Sequence, residues 1–248
     1  MKILHFGIAT LIWLLTSHSA LAVTINSNLI NNFESGTTHG WKFGGGAKNK
    51  PEIQPKVVQD VTGNNYLQVT STGGPDGGRG PGSRMTFINE TEWRGNYNTA
   101  NVGSIKAKMK NMGNESLYMR VGFTTRTNEE WHFAASASYL ELPADDQWYD
   151  LSFAISETDI SPFFGSSEEC CFTAWDLDEV IGGVNQLKFH NGKDALFWGG
   201  DRVSSVLGVD DITVSSEVLQ AISLSLNIEK RHLQTKQYIY ASYTQGIH

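Results

Sequence analysis

Residues 102–124, VGSIKAKMKNMGNESLYMRVGFT, decide the fold. In the first half of this stretch, Ile105, Ala107 and Met109 alternate with lysines, and in the second half every odd-numbered position from 117 to 123 is apolar. A period of two indicates β-strands that bury one face and leave the other polar. The stretch therefore predicts two strands of antiparallel sheets.

The same alternation recurs on both sides of this stretch, and helical periodicity is absent from residues 24 to 214. The other clear strands are predicted at Tyr66–Thr70, Tyr149–Ile155, Leu187–His190 and Val206–Val214. Clusters rich in glycine, such as residues 71–84, read as exposed loops between them. About ten short strands at this spacing predict an all-β fold, an antiparallel β-sandwich of jelly-roll type.

Composition narrows the classes of function. The chain has 248 residues, of which 40% are hydrophobic, so it can build a core and is not disordered as a whole. Its net charge of −7 disfavours general binding to nucleic acid or anionic lipid, because both need a positive field. Cys170 and Cys171 are the only cysteines. They are read as partly buried thiols, with an intermolecular bridge or a strained vicinal disulfide as alternatives.

The two ends of the chain differ from the predicted sandwich. Residues 1–22 combine a lysine, an apolar run and small residues at Ala20 and Ala22, which predicts a cleaved secretory signal. Residues 23–214 form the predicted domain, and residues 215–248 form a tail that is helical in part. The tail is too short and too polar to span a membrane. We expect a secreted monomer with no membrane span after signal cleavage.

Two phrases, at the start and at the end of the predicted domain, resemble a known family. Asn31-Asn32-Phe33-Glu34-Ser35-Gly36, followed by Gly40-Trp41, resembles the first strand of galactose-binding-like carbohydrate-binding modules, and residues 207–214, LGVDDITV, resemble their last strand. Residues 93–105 and 148–153 resemble exported bacterial proteins of this fold that carry a PEP-CTERM sorting segment. The sorting segment itself is absent here, which favours free secretion. The resemblance implies a galactose-binding-like jelly roll and a glycan as partner.

The resemblance also implies a metal site. In these modules the first and last strands lie side by side, and a carboxylate from each helps to bind a structural Ca²⁺. Glu34 and Asp210 stand at the matching positions and are predicted to share a Ca²⁺ site remote from any ligand. Such a hard cation gathers carboxylate and carbonyl oxygens. The alternative is that both side chains are exposed and bonded to loop amides.

Glycan binding needs aromatic faces for stacking and planar polar groups for hydroxyls. Residues that point away from the apolar face of their strands are the candidates, together with two tryptophans near strand ends. The predicted ligand-binding residues are Tyr118, Arg120, His132, His190, Trp93 and Trp131. Lys188 occupies an alternate position of the same strand as His190 and is predicted to face the same side. The alternative is an ordinary solvated sheet surface. Lys106, Lys108 and Lys110 are predicted to guard an edge strand, or else to face an anionic polysaccharide. Trp41 and Trp148 are read as packing residues.

The preferred hypothesis is a secreted, non-catalytic protein that binds a cell-surface or extracellular polysaccharide. A structural or adhesive matrix protein is the first alternative. The second is a polysaccharide lyase or glycoside hydrolase, with lyase chemistry built from Tyr118, Arg120, His132 and His190. No paired-carboxylate spacing such as E-x-D-x-x-E, nucleophile elbow or metalloprotease motif is present in the sequence to support catalysis.

Overall fold

The computed structural model describes residues 24–44, 50–74, 82–127, 130–163, 177–194 and 199–216. The predicted signal, Cys170, Cys171 and the tail from residue 217 onward lie outside the described residues. In these ranges β-strands are the main regular structure, beside one short α-helix, α1 (Leu177–Ile181), and a 3₁₀ turn at Pro51–Ile53. Within these ranges no helix is long and apolar enough to cross a membrane.

Thirteen strands run through the described residues, and all of their pairings are antiparallel. They are β1 (Ile30–Asn31), β2 (Trp41–Phe43), β3 (Lys56–Gln59), β4 (Asn65–Thr72), β5 (Thr86–Asn89), β6 (Val102–Asn111), β7 (Leu117–Thr127), β8 (Glu130–Ser136), β9 (Leu140–Leu142), β10 (Tyr149–Ala154), β11 (Ile160–Phe163), β12 (Val184–Asn191) and β13 (Ser204–Ser216).

These strands form two sheets. The six-stranded sheet has the order β10-β6-β13-β4-β3, with β1 also paired to β13. The seven-stranded sheet has the order β11-β8-β7-β12-β5-β2, with β9 also paired to β7. Two antiparallel sheets of this kind make a β-sandwich, which confirms the predicted fold class. Strand β13 ends at Ser216, two residues beyond the predicted end of the domain, because Ser216 still pairs with Val102 of β6.

The core lies between the sheets and contains the apolar sides of the alternating strands. The alternating apolar residues of β6 and β7, from which the strands were predicted, are buried, and Ile105, Met109 and Phe123 have 0% exposure. Aromatic rings fill the centre: Phe87 stacks on Phe189 with ring centroids 5.2 Å apart. The alternation therefore predicted correctly which side of each of these strands faces the core.

The prediction that Lys106, Lys108 and Lys110 guard an edge strand is wrong; these three residues are called the lysine row below. Strand β6 lies between β10 and β13, and its lysines project from the interior of the six-stranded sheet. The ammonium of Lys108 is 2.8 Å from a carboxylate oxygen of Asp211. That of Lys110 lies 4.9 Å from the ring centroid of Tyr66 and 5.1 Å from that of Trp148. Acidic and aromatic neighbours beside β6, rather than an open edge, therefore surround Lys108 and Lys110.

Candidate functional site

The surface of the seven-stranded sheet that points away from the core is here called the outer face. Strand register sets its rows: Arg120 of β7 lies opposite His190 of β12, which lies opposite Thr86 of β5. Lys188 belongs to the next row, and Tyr118 is two residues from Arg120 on the same strand. The structure therefore brings four of the residues named from sequence, Tyr118, Arg120, Lys188 and His190, to one face.

Strand register places His132 on the opposite side of the sheet. His132 lies opposite Thr125, whose side of β7 faces the core, and it is buried at 5% exposure. Its neighbour Trp131 lies opposite Arg126 and so points to the outer face. A shift of one residue moves a side chain to the other face of a strand, and the sequence holds no signal for the register between β7 and β8.

Trp93 does not flank a groove, which corrects the expectation from sequence. It is fully buried, and its indole Nε1–H donates to Oδ1 of Asn31 at 2.7 Å. The same oxygen accepts from Nε1 of Trp41 at 2.8 Å. Trp93 is a packing residue because its polar atom is satisfied inside the protein.

The centre of the outer face is buried. Arg120 donates from Nε to the carbonyl of Gly192 at 2.7 Å and from Nη2 to that of Lys193 at 2.6 Å, and its Nη1 donates to the carbonyl of Ser136. Its fork of donors therefore holds the turn after β12 against β7 and β8. Burial also lowers the pKa of Arg120.

The chain after β12 returns over His190. A Cβ added at Gly200 would lie 3.4 Å from the Cβ of His190 and 2.5 Å from the carbonyl oxygen of Asn191. Gly200 also has a φ of 73°, a conformation that favours glycine, so both space and backbone require that residue. His190 is consequently fully buried, and the central residues act as structural support for the face.

Burial and like charge perturb the basic groups in this central region. Burial, followed by the charge of Arg84, lowers the pKa of Lys188 to about 7. Burial, then the charges of Lys188 and Arg120, lowers the pKa of His190 well below its usual value, so His190 is neutral at pH 7. The charged forms are disfavoured because water is excluded and neighbouring cations repel.

Two patches on the outer face remain exposed. The tryptophan patch comprises Trp131, which is 51% exposed, and Arg126, whose guanidinium carbon lies 5.5 Å from the centroid of the Trp131 ring system. The tyrosine patch comprises Tyr118, Tyr139 and Lys193. Tyr139 is 41% exposed and meets Tyr118 edge-on with centroids 4.9 Å apart, and the ammonium of Lys193 lies 4.3 Å from the Tyr118 centroid.

Each patch thus offers aromatic surface beside a cation. Tyr118 and Arg126 are eight positions apart on β7, which is about 26 Å at roughly 3.3 Å per residue. Sequence reasoning missed Arg126, Tyr139 and Lys193. Continuing the alternation of β7 by two residues would have placed Arg126 on the face of Tyr118. Tyr139 and Lys193 lie beyond strand ends, and only tertiary structure brings them to Tyr118.

The two acids predicted to bind metal meet on the other sheet. Pairing of β1 with β13 brings Glu34 and Asp210 to one cleft of 560 Å³, here called the acidic cleft. Its lining residues are Asn32, Glu34, Asp60, Thr62, Asn64, Lys108, Trp148, Asp210 and Asp211. Oδ2 of Asp210 accepts from the amide of Asn64 at 3.1 Å, and burial raises the pKa of Asp210.

The donor set of the acidic cleft is of the kind that Ca²⁺ takes, because carboxylate, amide and hydroxyl oxygens line it. A register shift between Asp210 and Thr213 leaves Asp211 with a φ of 47° and turns strand β13 at this point. In the described ranges, however, no three His, Cys, Asp or Glu side chains come together as a group able to hold a metal. The Ca²⁺ site at Glu34 and Asp210 therefore stays a prediction.

No protein-family model matches the chain, and no curated protein matches it. Among solved structures, it is similar to the family 11 carbohydrate-binding module from Clostridium thermocellum in complex with a β-1,3-1,4-mixed-linked tetrasaccharide, with 16% identity over 76% of this chain and 95% of that chain and a TM-score of 0.48.

Two further solved structures are similar at lower scores. The CBM22-1 xylan-binding domain from Paenibacillus barcinonensis Xyn10C is 15% identical over 79% of this chain and 99% of its own, with a TM-score of 0.44. A carbohydrate-binding module specific for non-crystalline cellulose, CBM28, is 10% identical over 79% of this chain and 97% of its own, also with a TM-score of 0.44. All three of these structures are described as carbohydrate-binding modules.

Proposed function

We propose that the protein is an exported, non-catalytic glycan-binding protein whose polysaccharide lies along the outer face, from the tyrosine patch to the tryptophan patch. One observation carries the proposal. Among the aromatic side chains of the described residues, the large exposed ones are Trp131 and Tyr139, and both belong to this face. Exposed aromatic rings of this kind offer faces on which a sugar ring can stack.

The chemistry of each patch suits a sugar. The C–H groups of a sugar ring pack against an aromatic face, while Arg126 and Lys193 supply N–H donors for its oxygens. The separation of about 26 Å along β7, at roughly 3.3 Å per residue, favours an extended chain over a single sugar. Export is supported by the signal predicted at residues 1–22.

A non-catalytic role is supported by the state of the residues that a lyase would use. Arg120 is 2% exposed and gives its donors to three backbone carbonyls, and His190 is fully buried. A general base or a charge-stabilising arginine must reach the substrate. These two residues instead support the sheet from beneath.

Removing the exposed rings is expected to remove glycan binding. Trp131→Ala and Tyr139→Ala should each weaken retention about tenfold, which corresponds to about 1.4 kcal/mol per lost stacking contact, and the double variant should show no retention. Affinity electrophoresis in gels that contain soluble polysaccharides measures the effect. Val61→Ala is the matched control, because Val61 is also an exposed apolar residue but follows β3 of the other sheet. Retention of the double variant at the wild-type level would refute the proposal.

We propose in addition that the acidic cleft binds a structural Ca²⁺ through Glu34 and Asp210. Both side chains line the cleft beside further oxygen donors, and burial raises the pKa of Asp210. A cation would favour its charged form. Because the cleft belongs to the six-stranded sheet, this metal would stabilise the fold without contacting a glycan on the outer face.

Removing Ca²⁺ is expected to lower the midpoint of thermal unfolding by about 8 °C, since saturation at a hundredfold excess over the dissociation constant stabilises by about 2.7 kcal/mol. Differential scanning calorimetry with EDTA, and after Ca²⁺ is restored, measures this shift. Glu34→Gln should abolish the response to Ca²⁺ and leave glycan retention unchanged. An identical unfolding midpoint in metal-free and Ca²⁺-loaded protein would refute the proposed Ca²⁺ site.

A further inference from the structure

We infer that the polysaccharide bound on the outer face is acidic and carries carboxylate or sulfate groups. This inference rests on the proposed function and concerns the same face. It names the class of glycan, which the aromatic rings alone do not, because a ring stacks on neutral and acidic sugars alike.

The first observation is the charge of the exposed groups in the two patches. Arg126 and Lys193 are exposed, and each holds its cation over or beside an aromatic ring of its patch. A sugar that stacks there must meet that cation. Two exposed carboxylates lie beside the tyrosine patch: Glu141, opposite Tyr118 on β9, and Asp194, which follows Lys193 in the chain. Charge-assisted hydrogen bonds from arginine or lysine to carboxylate or sulfate oxygens are stronger than bonds to neutral hydroxyls.

The second observation is the charge beneath and between the patches. Arg84 and Arg120 are cationic, and Lys188 is close enough to Arg84 for the two charges to repel. Asp194 and Asp201 act on Arg120 from the turn after β12, and Oδ2 of Asp201 accepts from the backbone N–H of Lys193 at 2.8 Å. Arg84 and Arg120 carry full charges, and Lys188, with a pKa of about 7, carries about half of one at pH 7, so these cations exceed the two carboxylates only slightly. This small positive excess adds to the charge of the exposed cations because buried charges are weakly screened.

The third observation is the contrast between the two sides of the sandwich. The acidic cleft at the six-stranded sheet is lined by four carboxylates, Glu34, Asp60, Asp210 and Asp211, and by one lysine, Lys108, which pairs with Asp211. Its carboxylates exceed its lysine, so an acidic glycan is repelled from this cleft and attracted to the cations of the outer face. Such segregation of charge selects and orients a charged partner.

An acidic glycan fits better than a nucleic acid. A nucleic acid has a charge on every nucleotide, and binding it normally relies on a dense set of phosphate contacts from a basic surface. Here each patch holds one exposed cation beside an aromatic ring, and the patches are separated by the distance from Tyr118 to Arg126, about 26 Å along β7 at roughly 3.3 Å per residue. That spacing suits a chain of sugars with acidic groups at intervals.

Affinity electrophoresis and titration calorimetry on the whole chain test the inference with named probes. The panel is polygalacturonate and alginate as carboxylated glycans, dextran sulfate as the sulfated one, mixed-linkage glucan and xylan as neutral ones, and single-stranded DNA. We expect at least tenfold tighter binding to one acidic class than to the neutral glycans, with affinity falling as salt is raised. The carboxylate and sulfate arms distinguish the two sources of negative charge.

Charge reversal locates the effect. Arg126→Glu and Lys193→Glu should each weaken binding to the acidic glycan more than tenfold, with Arg126→Gln between wild type and Arg126→Glu. Lys106→Glu is the matched control, since Lys106 is an exposed lysine on the six-stranded sheet. Circular dichroism checks that all four variants fold, which we expect because each of these side chains is exposed or lies at the surface.

Each result of these experiments either supports or overturns the inference. Equal affinity for neutral and acidic glycans would overturn the inference and leave the proposed function standing. Failure to bind any glycan would overturn both. Tighter binding to DNA than to all glycans would contradict the inference. So would a Lys106→Glu variant whose binding to the acidic glycan is weakened as much as that of Arg126→Glu.

Discussion

Replacing Asn31 by alanine is expected to lower the free energy of unfolding by about 4 kcal/mol. The Oδ1 atom of Asn31 accepts from the indole N–H groups of both Trp41 and Trp93, at 2.8 and 2.7 Å, and all three residues are buried. The amide Nδ2 donates to Glu92 at 2.9 Å. Truncation leaves two buried donors without an acceptor, and each such loss costs about 1–3 kcal/mol.

Denaturant unfolding followed by tryptophan fluorescence measures this loss directly, because the affected rings are the probes. Asn28→Ala is the control: Asn28 is an asparagine three residues earlier in the chain, and it is exposed. We expect that control to stay within about 0.5 kcal/mol of wild type. Equal losses for Asn31→Ala and Asn28→Ala would show that the oxygen shared by the two tryptophans does not stabilise the fold.

Replacing Arg120 by methionine is expected to lower the free energy of unfolding by about 3 kcal/mol and to weaken glycan binding. Methionine keeps much of the aliphatic volume but removes every donor. The carbonyls of Ser136, Gly192 and Lys193 then lose their partners beneath the outer face. Because Lys193 belongs to the tyrosine patch, the loosened turn also displaces a cation that the glycan contacts.

Two measurements separate these effects: chemical denaturation for stability, and calorimetric titration with glycan well below the unfolding transition for binding. Arg126→Gln supplies the comparison, since Arg126 is an arginine on the same strand and face but is exposed. It should weaken glycan binding with a change in stability below about 0.5 kcal/mol. An Arg120→Met variant as stable as wild type would contradict the role assigned to its three hydrogen bonds.

The sequence predicted the fold class well because strand alternation reports burial locally. Ile105, Met109 and Phe123 face the core, as their spacing requires, and β13 was recognised over most of its length. The phrases at Glu34 and Asp210 also anticipated that the first and last strands meet, which the pairing of β1 with β13 confirms. Each of these inferences needed only the pattern within one strand or a resemblance between phrases.

The inferences that failed depended on relations between distant segments. His132 faces the core because the register of β8 against β7 is set by tertiary pairing. Arg120 and His190 are buried because the chain returns over them after β12, and no residue pattern announces such a return. The lysine row of β6 is interior because β10 and β13 flank it, an order that alternation alone does not specify.

The most direct test of the central claim, that the outer face binds an acidic glycan, is a titration of ¹⁵N-labelled protein with polygalacturonate and alginate oligosaccharides. The indole N–H signals of the tryptophans report separate places: Trp131 on the outer face, Trp148 in the acidic cleft, and Trp41 and Trp93 in the core. The account predicts a saturable shift of the Trp131 signal, with the Trp41, Trp93 and Trp148 signals unmoved. A shift of the Trp148 signal while that of Trp131 stays in place would contradict it.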